Sequence, residues 1–339
     1  MIEFLESVID NHYAILLGGL LLLTLGGEVL VQHASGLALK SNISPLIVGL
    51  TVIAIGTSSP ELFASMQAAW NGSTGIAVGN VVGSNIANLG LALGLTALVR
   101  PLTIDKDVLK LDWSILMVVT ILFGLLSLDG VYSKVDGVLF LGFMTIFMFG
   151  QVYRSRKIKL SQVALKTNES DENEQVNPSS VDLTGFDKYA RKHYSVLFIW
   201  IIIGCVLLYY GAGLFIDGAS DLARNFSISE HVIGVTVVAF GTSIPEIVTS
   251  VTAALKGQAD MSIGNIIGSN IMNILFVLGA TTTIIEIELD QNMIAGDFWW
   301  MLGTTALLYP ILTIGKKVSR VHGAIYLTCY IVYVWLALA

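Results

Sequence analysis

Long apolar runs, separated by short charged breaks or by breaks containing Gly, Pro or Asn, make up most of this 339-residue chain. A helix needs about 20 apolar residues to cross the hydrocarbon core of a bilayer, and several runs exceed that length. The pattern predicts ten transmembrane helices, at about residues 12–33, 44–70, 75–99, 111–129, 134–153, 194–217, 230–255, 260–285, 295–314 and 319–338. The longest of them must tilt or break to fit. We therefore predict an all-α membrane protein.

One polar segment, residues 154–192, separates the fifth run from the sixth. It is rich in Asn, Glu and Ser, a composition typical of a flexible linker. We predict three parts: a five-helix unit at 1–153, a linker at 154–192 and a second five-helix unit at 193–339.

The composition excludes a soluble protein. Charged residues make up 13 % of the chain, hydrophobic residues 54 %, and the mean hydropathy is +0.76, whereas soluble domains carry about 25 % charged residues. We expect the lipid bilayer to surround the protein. We expect no nucleic-acid partner, no required protein partner and no cofactor.

The positive charges lie on one side of the predicted membrane. When loops are assigned alternately, 16 of the 18 Lys and Arg residues fall on the side of the linker. Such residues are enriched on the cytoplasmic side of membrane proteins. The pattern predicts a multi-pass protein of a bacterial or archaeal cell membrane, with a cytoplasmic linker and both termini outside or in the periplasm.

The chain contains an internal duplication. Residues 34–94 align with 219–279 at a constant offset of 185 without gaps, and 28 of the 61 positions are identical. Each unit has five predicted helices, an odd number, so the second unit must be inverted relative to the first. Inverted repeats with an ion site at their interface are typical of secondary transporters, which work by alternating access.

The phrase Gly-Thr-Ser-x-Pro-Glu occurs at 56–61 and again at 241–246. Pro60 and Pro245 should break their helices, because proline removes a backbone hydrogen bond. Glu61 and Glu246 are costly at this depth, and such carboxylates mark ion or proton pathways. The neighbouring hydroxyls add neutral oxygens: Thr57, Ser58, Thr242 and Ser243. Carboxylate and hydroxyl oxygens suit hard cations such as Ca²⁺, and neither phrase contains a soft ligand.

A second phrase, Gly-Asn-x-x-Gly-Ser-Asn-Ile-x-Asn, occupies 79–88 and 264–273. Its glycines predict close helix packing. The serine and the last asparagine of each copy share a helix face, which predicts further neutral ligands: Ser84, Asn88, Ser269 and Asn273. The other asparagines are predicted to form hydrogen bonds between helices: Asn80, Asn85, Asn265 and Asn270. Packing alone could explain the serines and asparagines, but it does not need two buried glutamates.

In this order and duplicated, the two phrases closely resemble the alpha-repeats of the cation/calcium exchanger superfamily, specifically the prokaryotic sodium/calcium exchangers. The alpha-1 motif would cover 44–98 and the alpha-2 motif 229–283. The resemblance implies the ten-helix sodium/calcium exchanger fold, with ion sites built from the second, third, seventh and eighth helices. It also implies that the first and sixth helices slide across the other eight.

The resemblance further implies a role for each site residue. Glu61 and Glu246 would be the principal Ca²⁺ ligands and would also serve Na⁺. The remaining ligands would be Thr57, Ser58, Ser84, Thr242, Ser243, Ser269 and the carbonyl oxygens of Ala54 and Ala239. The expected function is a Na⁺/Ca²⁺ antiporter with these two ions as substrates.

Asn273 departs from many relatives, which carry Asp there. Two carboxylates remain, which is enough to neutralise one Ca²⁺ or two monovalent cations. Because exchange of one Ca²⁺ for two protons would balance at such a site, a Ca²⁺/H⁺ exchanger is the alternative. Sodium coupling is favoured because Ca²⁺/H⁺ exchangers typically carry glutamates near the positions of Ser84 and Ser269. A cation channel is a more remote alternative, since duplicated broken helices favour counter-transport. We expect no enzyme activity, because neither repeat supplies a His or Lys base beside the serine.

Overall fold

The computed structural model describes residues 12–103, 106–168, 186–225, 239–289, 291–314 and 317–338. Its helices are α1 His12–Ser41, α2 Pro45–Thr57, α3 Ser59–Trp70, α4 Thr74–Val99, α5 Lys106–Leu126, α6 Lys134–Asn168, α7 Asp187–Ala190, α8 Tyr194–Asn225, α9 Ala239–Thr242, α10 Ile244–Leu255, α11 Ala259–Ile284, α12 Gln291–Ile314 and α13 Arg320–Leu338. Four two-residue strands complete it: β1 Leu102–Thr103, β2 Val131–Tyr132, β3 Ile287–Glu288 and β4 Lys317–Val318.

Helical segments occupy all ten predicted spans, so the predicted fold class is confirmed. Six described helices are long and apolar enough to cross a membrane, and the bent pair of α2 and α3 makes a seventh. Helices α5 and α12, of 21 and 24 residues, occupy the fourth and ninth spans and pack against each other. The seventh predicted span is described only from α9 onward, because residues 230–238 lie outside the described part.

The predicted flexible linker is helical at both of its described ends. Helix α6 continues to Asn168, and α7 lies near the other end of the segment. The first residues after Arg154 are mostly Lys, Ile, Leu, Gln, Val and Ala, and several of these are strong helix formers. The composition that suggested a flexible linker comes mainly from residues 169–185, which the structure does not describe. The domain boundaries stay a prediction.

Two small antiparallel ladders join the halves of the chain. Strand β1 pairs with β4, with Leu102 opposite Val318, and β2 pairs with β3, with Tyr132 opposite Ile287. The sequence offset makes β3 the counterpart of β1, since 287 − 102 = 185, and β4 the counterpart of β2, since 317 − 131 = 186. Each ladder therefore joins the two repeats, and the ladders are equivalent to each other, as expected for two related halves.

Close packing of α2 on α11 depends on the glycines of the second copy of the second phrase, as predicted, whereas no atom of the described residues outside the backbone of the same helix lies within 4 Å of a Cβ built on Gly79 or Gly83 of the first copy. A Cβ on Gly264 would lie 2.5 Å from the Leu46 carbonyl oxygen, and one on Gly268 would lie 2.7 Å from the Leu50 Cα. Real Cβ atoms do not approach backbone atoms so closely, so both positions require glycine. This contact brings a broken helix of the first repeat against a site helix of the second.

Helices α1 and α8 pack together along their length, again through glycines. A Cβ on Gly26 would lie 2.9 Å from the Leu208 nitrogen, and one on Gly204 would lie 2.9 Å from the Leu30 nitrogen. Buried residues of these two helices belong to an apolar cluster that is separate from the main core around α4 and α11. The first and sixth predicted membrane helices, α1 and α8, thus pack closely against each other, while their sliding stays a prediction.

Candidate functional site

Both copies of the first phrase interrupt their helices at the serine. Ser58, between α2 and α3, has φ −82° and ψ 6°, and Ser243, between α9 and α10, has φ −87° and ψ 0°. Pro60 and Pro245 follow within the first two residues of the next helix. The axes of α2 and α3 differ by 41°. The predicted helix breaks are confirmed.

The two glutamates lie in the first turns of α3 and α10, and both side chains are fully buried. A helix N-terminus carries partial positive charge, so it stabilises a carboxylate there. Glu61 and Glu246 are close enough for their charges to repel each other. The breaks therefore bring one carboxylate from each repeat within electrostatic range of the other inside the protein.

Hydroxyl groups surround the Glu246 carboxylate, and two of them come from the other repeat. Ser58 Oγ lies 3.4 Å from Glu246 Oε1. Thr57 Oγ1 and Ser269 Oγ lie 3.3 Å apart and beside the same carboxylate. Residues of α2, α10 and α11 thus meet in one oxygen-rich cluster, and four of the predicted site residues are brought together.

Two asparagines connect the repeats in equivalent ways. The Thr57 hydroxyl lies 3.3 Å from Asn265 Oδ1, and the Thr242 hydroxyl lies 3.5 Å from Asn80 Oδ1. These pairs correspond to each other, since 242 − 57 = 185 and 265 − 80 = 185. Asn80 Nδ2 also donates to the Glu61 carbonyl oxygen at 3.2 Å. The predicted role of Asn80 and Asn265 in hydrogen bonds between helices is confirmed.

Several predicted ligands have buried polar atoms without a hydrogen-bond partner among the described residues. Such atoms are costly to bury, because they have lost their bonds to water. They are both carboxylate oxygens of Glu61, Oε2 of Glu246, the hydroxyls of Ser84 and Ser243, both amide atoms of Asn88, and Oδ1 of Asn273. The oxygens among these atoms form the donor set that a hard cation would use.

The two predicted carbonyl ligands are Ala54, in α2, and Ala239, in α9. The Ala54 carbonyl already accepts hydrogen bonds from Ser58 N at 2.9 Å and Thr57 Oγ1 at 3.4 Å. A cation there would have to share an oxygen that is in use. Ala239 is the first described residue of α9.

Turns of π-helix occur within both helices that carry the second phrase, at Asn88–Leu93 in α4 and Asn273–Leu278 in α11. Helix α3, which carries Glu61, packs against the second of these turns, and α10, which carries Glu246, packs against the first. Each glutamate helix therefore contacts the π turn of the opposite repeat. Such turns are frequent at functional sites.

A sequence profile of the sodium/calcium exchanger protein family matches residues 11–153 and 196–339. The chain belongs to this family. The putative antiporter CaxA of Alkalimonas amylolytica is 36 % identical over 321 residues, which cover 94 % of this chain and 96 % of CaxA. The sodium/calcium exchanger MaX1 of Methanosarcina acetivorans is 30 % identical over 350 residues, covering 96 % and 98 % of the two chains.

The fold agrees with a solved member of the family. The sodium-calcium exchanger NCX_Mj, soaked with Na⁺ and Ca²⁺, superposes with a TM-score of 0.76 at 31 % identity, covering 95 % of this chain and 96 % of that one. This protein is therefore an integral membrane protein of a cation-exchanger family, and the sodium/calcium exchanger fold is confirmed.

One further buried polar residue shares the helix face of Glu246 and was missed from the sequence. Thr249 follows Glu246 by three residues, is fully buried, and its hydroxyl has no partner among the described residues. Its counterpart in the first repeat is Ala64, so a search for duplicated residues could not find it. The spacing from Glu246 was the available signal.

No group of three or more His, Cys, Asp or Glu side chains that could hold a metal occurs in the described ranges. The two glutamates thus supply the acidic part of the cluster, and its remaining oxygens are neutral.

Proposed function

We propose that this protein exports Ca²⁺ in exchange for Na⁺ that enters down its gradient, and that both ions compete for one site centred on Glu61 and Glu246. The observation that carries the proposal is the meeting of these two buried carboxylates, one from each repeat, with unpaired oxygens and hydroxyl groups around them.

Charge explains why such a site would exchange ions. Two ionised carboxylates inside a membrane protein are costly unless cations neutralise them. One Ca²⁺ or two Na⁺ would balance Glu61 and Glu246. An unoccupied site would be unfavourable, so one set of cations must replace the other before the protein reorients. Counter-transport then follows without any covalent step.

Neutral oxygens would complete the coordination. Ca²⁺ takes six to eight oxygen ligands, and two carboxylates supply at most four. The proposed additional ligands are Thr57, Ser58, Ser84, Asn88, Thr242, Ser243, Ser269 and Asn273, with the carbonyl oxygens of Ala54 and Ala239. The buried unpaired atoms of Ser84, Ser243, Asn88 and Asn273 support their inclusion.

Sodium is the proposed coupling ion because the relatives named above include proteins called sodium/calcium exchangers. Exchange of Ca²⁺ for protons is the second candidate. It is favoured by the number of acidic groups, since two glutamates that each take up one proton balance one Ca²⁺.

The basic end of the molecule is proposed to face the cytoplasm. Arg100 Nη1 donates to the Leu255 carbonyl oxygen at 2.7 Å, and Arg320 Nε donates to the Leu98 carbonyl oxygen at 3.0 Å. These contacts gather basic residues of both repeats at the ends of α4 and α10. The excess of Lys and Arg there supports the cytoplasmic assignment.

Competition between the ions tests the shared site. In proteoliposomes loaded with Na⁺, we expect Na⁺ added on the outside to raise the Ca²⁺ concentration that half-saturates uptake, with the maximal rate at saturating Ca²⁺ preserved. A lower maximal rate with unchanged half-saturation would mean that the two ions use separate sites.

A further inference from the structure

Asn85 links three helices in the interior of the protein. It lies on α4 and is 2 % exposed. Its Oδ1 accepts a hydrogen bond from Asn273 Nδ2 on α11 at 3.3 Å, and its own Nδ2 lies 3.5 Å from Met301 Sδ on α12. Both ends of the Asn85 amide therefore have a partner.

The contact with Asn85 decides which end of the Asn273 amide is free. An asparagine side chain has a donor end, Nδ2, and an acceptor end, Oδ1, and only the oxygen can bind a cation. Asn273 is fully buried, its Nδ2 is engaged by Asn85, and its Oδ1 has no partner among the described residues. The oxygen is thus the end left for an ion.

The orientation of Asn85 is itself fixed by its partners. If its amide turned over, Nδ2 would face Asn273 Nδ2, donor against donor, and Oδ1 would face the Met301 sulfur, acceptor against acceptor. Both contacts would be lost if Asn85 turned alone, and the contact with Met301 would be lost if both amides turned together. Met301 is 1 % exposed, so water has little access to replace them.

The symmetry-related pair, Asn270 and Asn88, lacks this arrangement. The counterpart of Asn85 is Asn270, since 85 + 185 = 270, and its Nδ2 donates to the Ile266 carbonyl oxygen of its own helix at 3.0 Å. The counterpart of Asn273 is Asn88, whose amide atoms have no partner among the described residues. Asn270 is therefore a natural control for Asn85.

We propose that Asn85 is a positioning residue that turns the Asn273 oxygen toward the cation site, an inference that rests on the proposed function. A carboxylate at 273 would present an oxygen in either orientation. An amide does not, so a residue that fixes its orientation becomes necessary. Asn85 sets the affinity for Ca²⁺ through Asn273 and does not itself bind the ion.

The test compares Asn85→Ala and Asn85→Leu with Asn270→Ala. The first leaves a cavity and the second fills it, so a shift common to both is not a packing effect. We expect both variants to raise the Ca²⁺ concentration that half-saturates uptake about five-fold, because one neutral interaction is lost. The maximal rate should change little. Asn270→Ala should keep the wild-type half-saturation.

A double-mutant cycle with Asn273→Ala tests whether Asn85 acts through Asn273. We expect Asn85→Ala to cause no further shift once Asn273 is Ala. An equal shift in both backgrounds would overturn the proposal, as would wild-type half-saturation in the Asn85 single variants.

Binding without transport gives a second readout. Ca²⁺ should raise the melting temperature of purified Asn85→Ala less than that of wild type at the same concentration. Glu61→Gln separates the two proposals. If Glu61→Gln still transports, the proposed site is wrong. If Glu61→Gln is inactive and Asn85→Ala behaves as wild type in both assays, only the positioning role fails.

Discussion

The hydroxyl of Ser58 lies 3.4 Å from Oε1 of Glu246, although 188 positions separate the two residues in the chain. Ser58 lies at the helix break of the first repeat, and Glu246 is the buried glutamate of the second. An ion held at this contact would therefore touch both repeats at once. Any relative movement of the repeats would change its coordination, as alternating access requires.

Ser58 and its neighbour Ser59 make a matched pair of variants. Ser59 Oγ donates to the Ile55 carbonyl oxygen of α2 at 2.8 Å, whereas Ser58 Oγ lies beside Glu246. We expect Ser58→Ala to raise the half-saturating Ca²⁺ about five-fold through loss of one neutral oxygen. Ser59→Ala should behave as wild type. Equal effects of the two substitutions on Ca²⁺ uptake would show that Ser58 has no special role.

Removing either central charge should abolish exchange. Glu61→Gln and Glu246→Gln keep the side-chain shape but leave one negative charge, which cannot balance Ca²⁺. We expect ⁴⁵Ca²⁺ uptake at background level, from protein that still elutes as a single folded species. Glu288→Gln, at an exposed position in β3, removes the same charge elsewhere and should transport normally. Normal transport by either central variant would refute the proposed site.

Restoring an acid at position 273 should change the stoichiometry. Asn273→Asp adds a third carboxylate beside the two glutamates, so more positive charge must be carried against each Ca²⁺. We expect a change in the charge moved per Ca²⁺, measured as current together with ⁴⁵Ca²⁺ flux. Asn71→Asp adds the same charge at an exposed helix end and should leave the ratio unchanged. An unaltered ratio in Asn273→Asp would make this position a bystander.

Gly268 should be needed for stability. A methyl group there would lie 2.7 Å from Leu50 Cα and 2.9 Å from Ala54 Cβ. Gly268→Ala should therefore cost about 1–3 kcal/mol in the free energy of unfolding through overpacking, seen as a lower melting temperature. Among the described residues, no atom outside the backbone of its own helix lies within 4 Å of a Cβ built on Gly142, so Gly142→Ala should not lower the melting temperature. Equal melting temperatures of Gly268→Ala and the wild-type protein would contradict the close packing of α2 on α11.

The duplication allowed much of the fold to be predicted. Hydropathy gave the ten helical segments, and the repeated prolines gave the breaks at Ser58 and Ser243. Both signals are local or periodic in the chain. The helical extension of α6 to Asn168 was missed because the composition of the whole segment 154–192 concealed a helix-forming start.

Contacts between the repeats could not be predicted from sequence. The offset of 185 relates Thr57 to Thr242, but it does not say that Thr57 meets Asn265 or that Asn85 meets Asn273. Those pairs depend on how the inverted halves pack, which the glycine contacts of α2 and α11 determine. Thr249 escaped notice for a related reason, since symmetry finds only residues that both repeats share.

The central claim is that Na⁺ and Ca²⁺ exchange at one site, and the coupling ion tests it most directly. The measurement is ⁴⁵Ca²⁺ uptake into proteoliposomes loaded with Na⁺, compared with vesicles that have only an outward proton gradient of matched size, without K⁺ and at a clamped membrane potential. We predict uptake only with internal Na⁺. Uptake driven by the proton gradient alone would contradict sodium coupling and identify a Ca²⁺/H⁺ exchanger.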